Sequence, residues 1–474
     1  MKKFEGILFL LLLLSLLGRA QHQELSEKPN IWQQNQKSSI DSNTILSAFR
    51  KGSMKGHFRY FFSATDNAQG LTDYFANAGG GGLRFETAKY KGFQFGISGF
   101  YIFNLGSSDL SIPDANTNQF NRYELGLFDV QDSKNKNQID RLEELYLKYS
   151  FKKTSIEFGK ILINTPLINL QDGRMRPTGV EGLWIETSDL HQLKIEGGFL
   201  FAFSPRSTTD WYRGGESIGV YSSGVNSKGQ KSDYAGNVES KGVGVLGLKY
   251  NPTTEIKLQL WEYYIENVLN TGLLQIDYEK ETKNKATLIG SLQAIQQNTL
   301  QNGGNEDPSK QYADKNGSAF TFGARIGIKN QQQDLSLNYN RITNTGRYLF
   351  PREWGRDPFF TFMPRERNEG LGNAHAAVIK YARSFPKQKL KTGIAVGYYW
   401  LPDVQDFRNN KYGMPSYAQV NADVRYNFGG ILNGLEAQLL VVGKFNQGKV
   451  YGNARYIFNK VNMQLYNLIL NYRF

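Results

Sequence analysis

Residues 418–427 read AQVNADVRYN, and this stretch carries the pattern on which the fold prediction depends. From Ala418 to Tyr426 every second side chain is apolar or aromatic, and the residues between them are polar or charged. A period of two with one apolar face is the pattern of a β-strand, and about ten residues is the length that a tilted strand needs to cross a bilayer. The stretch therefore predicts a strand with one apolar face and one polar face.

Similar alternation recurs from Gly56 to the C-terminus and predicts about 18 strands, with 16 as the alternative count. The predicted strands are 56–64, 80–90, 93–103, 141–151, 155–163, 181–187, 191–201, 241–250, 255–264, 271–279, 285–297, 318–329, 334–342, 375–384, 390–400, 417–427, 434–443 and 462–474. Short turns of two to six residues alternate with connections that are mostly long and polar, such as 104–140, 202–240 and 343–374. This asymmetry is typical of membrane barrels. We therefore predict an all-β fold, a transmembrane antiparallel β-barrel over 56–474 with short periplasmic turns and long extracellular loops.

The composition of the 474 residues agrees with a barrel and excludes several functional classes. Aromatic residues make up 14% of the chain, and 49 Gly accompany only 13 Pro, which suits many strands joined by glycine turns. The absence of Cys excludes disulfides and thiolate metal sites. The formal charge of +13 is compatible with a solvated basic surface, a nucleic-acid binder or a face for anionic solutes. Export, which the N-terminus predicts, argues against nucleic acid and favours anionic solutes.

The N-terminus has the features of a secretory signal peptide over 1–20. A positive start at Met1–Lys3 precedes the apolar run Ile7–Leu17, and the small residues Gly18 and Ala20 flank Arg19. An apolar run of about 11 residues is too short for a transmembrane helix, so we expect cleavage after Ala20. Residues 21–55 are polar and weakly patterned, which predicts a periplasmic N-terminal tail, with a small plug or docking element as the alternative.

The last residues form an amphipathic strand that ends on Phe474. Its apolar face consists of Tyr466, Leu468, Leu470, Tyr472 and Phe474. A terminal Phe closing such a face resembles the signal that the barrel-assembly machinery of Gram-negative bacteria reads. The alternative is an ordinary terminal strand of a soluble protein.

If the apolar faces contact lipid, the opposite faces line a lumen. The basic residues of that inner face form the predicted lumen track Arg59, Arg84, Lys148, Lys257, Arg325, Lys329, Lys380 and Arg425. The same face carries the acids Glu86, Glu144, Glu157, Glu196, Asp423 and Glu436. Fixed positive charges along a pore concentrate anions and repel cations. For any single basic residue the alternative is an ion pair across the wall.

An 18-strand barrel is wide, so selectivity requires something folded into it. Two loops suit this role, 164–180 and 351–367, because both combine Pro with clustered Arg and acidic residues. Arg forks bind carboxylates bidentately, and neighbouring acids hold the Arg side chains in place. The alternative is a salt-bridged external loop.

At these loops the sequence resembles the OprD-type outer-membrane porins, in a form like that of Bacteroidetes members. The matching stretches are GKILINTPLINLQDGRMRPTGVEG (159–182) and PREWGRDPFFTFMPRERNEG (351–370). The resemblance implies an 18-stranded, often monomeric barrel whose third and seventh long loops, near 164–180 and 343–374, fold inward. It also implies carboxylate-bearing substrates guided by basic residues. The implied pore-constriction candidates are Asp172, Arg174, Arg176, Arg352, Glu353, Arg356, Asp357, Arg365 and Arg367.

The functional prediction is an outer-membrane porin for small polar, anionic or zwitterionic solutes, such as amino acids, peptides and organic acids. Expected partners are outer-membrane lipid and the barrel-assembly machinery, and the oligomeric state is a monomer or a trimer. No cofactor, metal or nucleic acid is expected. The alternatives are an adhesin or binding barrel and, less favoured, a barrel enzyme. Against an enzyme, the sequence has no catalytic serine motif. Of its four His, His57, His191 and His375 are predicted near the periplasmic rim, and His22 lies in the tail.

Overall fold

The computed structural model describes residues 31–32, 41–170 and 173–474. The predicted signal peptide and Asp172 lie outside the described residues. The barrel strands are β1 Ser53–Asp66, β2 Tyr74–Glu86, β3 Phe93–Ser107, β4 Ile139–Phe151, β5 Thr154–Ile161, β6 Gly179–Thr187, β7 Leu193–Ser204, β8 Val243–Tyr250, β9 Ile256–Ile265, β10 Leu269–Glu281, β11 Thr287–Thr299, β12 Ser318–Lys329, β13 Gln333–Ile342, β14 Ala374–Phe385, β15 Leu390–Trp400, β16 Tyr417–Asn427, β17 Leu435–Asn446 and β18 Met463–Arg473.

These strands form one closed antiparallel barrel. Each pairs with its neighbours in chain order, and β1 closes the sheet by pairing with β18 from His57 opposite Arg473 to Asp66 opposite Gln464. Closure leaves no strand edge unpaired. An unpaired edge would expose backbone N–H and C=O groups to lipid, where they find no hydrogen-bond partner. The predicted fold class and the count of 18 are confirmed.

The largest boundary error of the prediction is in β2, which begins at Tyr74 instead of residue 80. A run of four glycines, 79–82, lies inside this strand. Neighbouring aromatic rings occupy the space that side chains would take: a Cβ on Gly80 would lie 2.5 Å from the Phe100 ring, and one on Gly81 would lie 2.7 Å from the Phe58 ring. The glycines therefore permit close ring packing within a strand and do not end it.

Connections of two classes leave the two ends of the barrel. The short turns are 87–92, 152–153, 188–192, 251–255, 282–286, 330–332, 386–389 and 428–434. The loops at the other end are L1 (67–73), L2 (108–138), L3 (162–178), L4 (205–242), L5 (266–268), L6 (300–317), L7 (343–373), L8 (401–416) and L9 (447–462). His375 is the second residue of β14, directly after L7, so it lies at the extracellular end, and its predicted periplasmic position is wrong.

The outer surface of the barrel is apolar, as the alternation predicts. Exposed side chains include Phe58, Leu147, Leu337 and Leu468. Phe474 continues this face and its ring lies 5.8 Å from that of Phe58. The role of the C-terminal face in barrel assembly stays a prediction. Within the described ranges, no helix is long and apolar enough to cross a membrane.

A short helix, α1 (Ile45–Arg50), precedes β1 at the short-turn end. The Thr44 side chain caps it by accepting a hydrogen bond from the Ser47 backbone N–H at 3.1 Å. The Phe49 ring packs against the outward rings of Phe85 and Phe95, at 6.1 and 6.3 Å between centroids. The helix therefore lies against the outside of the barrel.

Candidate pore constriction

L7 lies inside the barrel, where wall amides hold its backbone. Gln297 on β11 donates to the Leu349 carbonyl at 2.6 Å. Gln419 and Asn421 on β16 both donate to the Pro364 carbonyl, at 2.9 and 3.0 Å. Because these side chains reach L7 from opposite regions of the wall, the loop is fixed within the lumen.

L3 and L7 are joined along a tight backbone contact. Asn169 of L3 donates through its side chain to the Arg356 carbonyl at 3.2 Å and accepts from the Arg356 N–H at 3.0 Å. Its own N–H donates to the Trp354 carbonyl at 3.2 Å. Gly355 makes this approach possible, since a Cβ there would lie 2.2 Å from the Leu167 carbonyl oxygen.

An apolar cluster anchors the joined loops to one side of the wall. The fully buried Trp354 ring stacks on Phe203 of β7 at 4.2 Å, and its N–H donates to the Ser217 hydroxyl of L4 at 2.9 Å. Leu167 of L3 and Tyr263 of β9 belong to the same cluster. This packing fills the lumen beside β6–β9.

A cavity of about 1470 Å³ lies in the barrel beside L3 and L7. Every strand residue on its wall belongs to β8 or to a later strand, and the first seven strands contribute none. On that side the wall consists of residues from L2, L3 and L4. The cavity is therefore off-centre and lies along the β8–β18 wall.

The structure divides the predicted constriction residues into two groups. Those that line the cavity are Arg174, Arg352, Arg356, Arg365 and Arg367. Arg176, Glu353 and Asp357 are buried away from it.

Each residue of the second group holds a loop in place. Arg176 pairs with Glu143 of β4. The Glu353 carboxylate accepts from the Tyr221 N–H at 2.9 Å, and that of Asp357 from the Asn368 N–H at 2.7 Å. The charged groups of these three residues therefore form contacts within the protein and do not line the cavity.

Three guanidinium groups from three loops meet at Gly173. We call Arg174, Arg206 and Arg365 the guanidinium cluster. Arg174 and Arg365 both donate to the Gly173 carbonyl at 2.8 Å. A Cβ on Gly173 would lie 3.4 Å from a terminal nitrogen of both Arg206 and Arg365. The carbonyl of Arg122, a cavity-lining residue of L2, accepts from Arg174 at 3.4 Å.

The electrostatics of this region are strongly positive. Burial lowers the pKa of Arg174 to about 9, helped by the charges of Arg365 and Arg122. Burial also lowers the pKa of Arg206 to about 9 and, with Arg352, that of Arg122 to about 10. Among the described residues, no carboxylate forms an ion pair with Arg122, Arg174 or Arg206. Their mutual repulsion is therefore not offset by ion pairing.

A family model for the outer membrane porins of the OprD family matches residues 83–363. The chain belongs to the OprD family. Membership and the barrel fold indicate the outer membrane of a Gram-negative bacterium.

Solved porin structures show the same fold. OccD3 (OpdP) of Pseudomonas aeruginosa is 14% identical with a TM-score of 0.67, over 90% of this chain and 92% of that one. OpdK of the same species, solved with vanillate, is 13% identical with a TM-score of 0.69, over 90% and 99%. OccAB4 of Acinetobacter baumannii is 16% identical with a TM-score of 0.68, over 90% and 98%. No curated protein sequence matches the chain.

The predicted lumen track of this porin faces inward, but most of its charges are compensated. Lys148 pairs with Glu157 at 2.5 Å, and Glu279 pairs with Lys329 at 3.0 Å and Lys257 at 3.5 Å. The other ion pairs are Arg84 with Glu86 and Glu144, Arg325 with Asp334, and Arg425 with Asp423. Arg59 donates to the Asn471 side chain at 3.0 Å, and Lys380 lines the cavity.

Sequence reasoning missed several cationic residues that line the cavity of the porin: Arg122, Arg206, Lys411, Lys444, Arg455 and Lys460. All but Lys444 belong to loops without a recognisable motif. Lys444 continues the inward alternation of β17, one residue beyond the predicted end of that strand, so a longer strand would have revealed it. For the loop residues the sequence offers no comparable signal.

Proposed function

We propose that this porin is a diffusion channel for small polar solutes with a preference for anionic or carboxylate-bearing ones, such as amino acids, peptides and organic acids. The observation that carries the proposal is the position of Arg122, Arg174 and Arg206, which line the passage without ion-pair partners among the described residues. Wall charges such as those of Lys148 and Glu157 neutralise each other in ion pairs. The loop arginines therefore dominate the electrostatic field that a solute meets.

This arrangement suits carboxylates for two physical reasons. Fixed positive charge in a narrow aqueous passage concentrates anions and repels cations. A guanidinium also presents parallel N–H donors that match the two oxygens of a carboxylate. Because Arg174 and Arg365 share an acceptor on Gly173, one solute can contact both groups while it passes.

One related structure agrees with this choice of solute. OpdK was solved with vanillate, which is an aromatic carboxylate. Phe360, Phe362 and Tyr221 line the cavity of the present porin together with the arginines, so aromatic rings and guanidinium groups are both available to such a solute.

The test is ion selectivity in planar bilayers. Neutralising Arg122, Arg174 and Arg206 together to Gln should lower the preference for chloride over potassium, measured as the reversal potential in a KCl gradient. Reversing the charges of Arg352, Arg356, Arg365 and Arg367 together should lower it further.

The matched control is Lys148→Gln with Glu157→Gln, which removes a compensated pair from the wall. This double variant should keep the wild-type reversal potential. If the three-arginine variant also keeps it, the loop arginines do not set selectivity and the proposal is wrong.

A further inference from the structure

Trp32 lies inside the barrel, although it belongs to the segment that the sequence predicts as a polar tail. Its side chain is nearly buried, with 9% exposed, and its indole N–H donates to Glu144 at 3.0 Å. Glu144 is an inward residue of β4 that also accepts from Ser98 of β3 at 2.7 Å. The Arg176 guanidinium lies over the indole, 4.9 Å from the ring centroid. The indole is therefore held by the inner wall of β3 and β4.

Ten residues later the chain is fixed at the periplasmic rim. Ser42 donates through its backbone to the Lys89 carbonyl at 2.7 Å, and the Asp41 carboxylate accepts from the Lys91 N–H at 3.0 Å. The helix α1 that follows packs on the outside of the barrel through Phe49. Trp32 thus contacts the inner wall of the barrel, whereas the next described residues of the chain lie at the periplasmic rim.

Trp32 and the cavity lie on opposite sides of the barrel. The cavity follows the β8–β18 wall, and none of the strand residues around Trp32, namely Ser98, Glu144 and His57, line it. We propose that Trp32 is a size-restricting residue, a wedge that closes the β1–β4 side of the lumen and confines solutes to the opposite wall. This inference rests on the porin fold and family, and it holds whichever ions the channel prefers.

The chemistry of the contact favours a stable wedge. A buried indole N–H requires an acceptor, which Glu144 supplies, and the Arg176 guanidinium over the ring face adds a cation–π contact. Removal of the indole leaves Glu144 bonded to Ser98 and to Arg84, at 2.7 and 3.3 Å. The wall therefore keeps its polar contacts in a Trp32→Ala variant, which should fold.

The first experiment measures single-channel conductance in symmetric salt. Trp32→Ala should raise the conductance roughly 1.5-fold, because current grows with the open cross-section. Trp32→Phe keeps an aromatic ring in the space and should remain near wild type. Trp400→Ala is the matched control, since Trp400 is exposed on the outer face and its removal should change nothing.

The second experiment uses the absence of native Cys. A Ser98→Cys variant carries one thiol behind the indole, and a water-soluble maleimide should label it slowly. In the Trp32→Ala background the same thiol should react faster, which reports access independently of current. Resistance to SDS at room temperature confirms that each variant is folded.

Two results would overturn the inference. One is a Trp32→Ala conductance equal to wild type in folded channels. The other is equal labelling of Ser98→Cys in both backgrounds. Neither result depends on the reversal potential, so failure here is distinguishable from failure of the proposed anion preference.

Discussion

Arg176 of L3 and Glu143 of β4 form a bidentate ion pair inside the barrel wall. The Arg176 Nε lies 2.7 and 2.8 Å from the two carboxylate oxygens, and 3% and 0% of the two side chains are exposed. Arg141 contacts the same carboxylate at 2.8 Å. The pair fastens the end of L3 to the wall, which is why Arg176 is not available to a solute.

We predict strong energetic coupling between these two residues. Arg176→Met and Glu143→Met should each destabilise the porin. The first leaves the buried Glu143 carboxylate with Arg141 alone, and the second leaves both buried guanidinium groups without their carboxylate. The double variant should cost less than the sum of the single variants, with a coupling energy of ~0.5–3 kcal/mol. Urea unfolding in lipid vesicles gives the free energies of unfolding. The partly exposed pair Lys148 and Glu157 is the control, with an expected coupling of about 1 kcal/mol or less. Additive effects at Arg176 and Glu143 would contradict the prediction.

Anion preference should fall as the pH rises from 6 to 9. Burial, with Arg122 and Arg352, lowers the pKa of Lys460 to about 7, so this lysine is charged at pH 6 and neutral at pH 9. Burial and the neighbouring Asp357 raise the pKa of Glu366, so this acid is protonated at pH 6 and gains negative charge as the pH increases. Both changes make the cavity less positive at high pH.

The measurement is the reversal potential in a KCl gradient at pH 6 and at pH 9. The double variant Lys460→Gln and Glu366→Gln removes these two titrating groups and should weaken the dependence. A smaller fall toward pH 9 should remain, because Arg174 and Arg206 have pKa values of about 9 and Lys411 of about 8. A chloride preference that increases with pH in the wild-type channel would contradict this assignment of charges.

Gly355 should be intolerant of even one added methyl group. Gly355→Ala places a Cβ 2.2 Å from the Leu167 carbonyl oxygen and 3.0 Å from Asn169, so L7 must move away from L3. We expect lower thermal stability of the folded band on SDS gels and noisier single-channel currents. Gly290→Ala is the matched control, because no atom lies within 4 Å of a Cβ built there. Equal behaviour of the two variants would show that the contact between L3 and L7 does not hold the constriction.

The sequence predicted the fold well because the decisive signal is local. Alternation from Ala418 to Tyr426 needs only neighbouring residues, and the predicted strand 417–427 matches β16. The inward folding of L3 and L7 was predicted from their Pro, Arg and acidic residues and from the family resemblance, and counting connections identified them as the third and seventh long loops. Contacts such as those of Asn169 with L7 hold the two loops together inside the barrel. The predicted start of β2 was wrong because of its glycine run. These glycines leave room for aromatic rings on neighbouring strands, which the local sequence does not show.

The charges of the candidate site were harder to predict. Alternation correctly placed Lys148 on the inner face, but its neutralisation by Glu157 follows from the register of β4 against β5. Arg122 and Arg206 lie in loops without periodicity, and nothing local indicates that they turn inward. The local sequence also does not indicate the lumen position of Trp32, since its hydrogen-bond acceptor Glu144 lies 112 residues away.

By itself, then, the sequence determined the strands, their inner and outer faces, and the alternation of short turns with loops, because these depend on polarity repeated every two residues along the chain. Only the tertiary structure decided which charges remain uncompensated and where the passage runs. Arg365 and the carbonyl of Gly173 meet across 192 residues of chain. Such a contact is set by how separate loops pack within a closed barrel, and no local pattern encodes it.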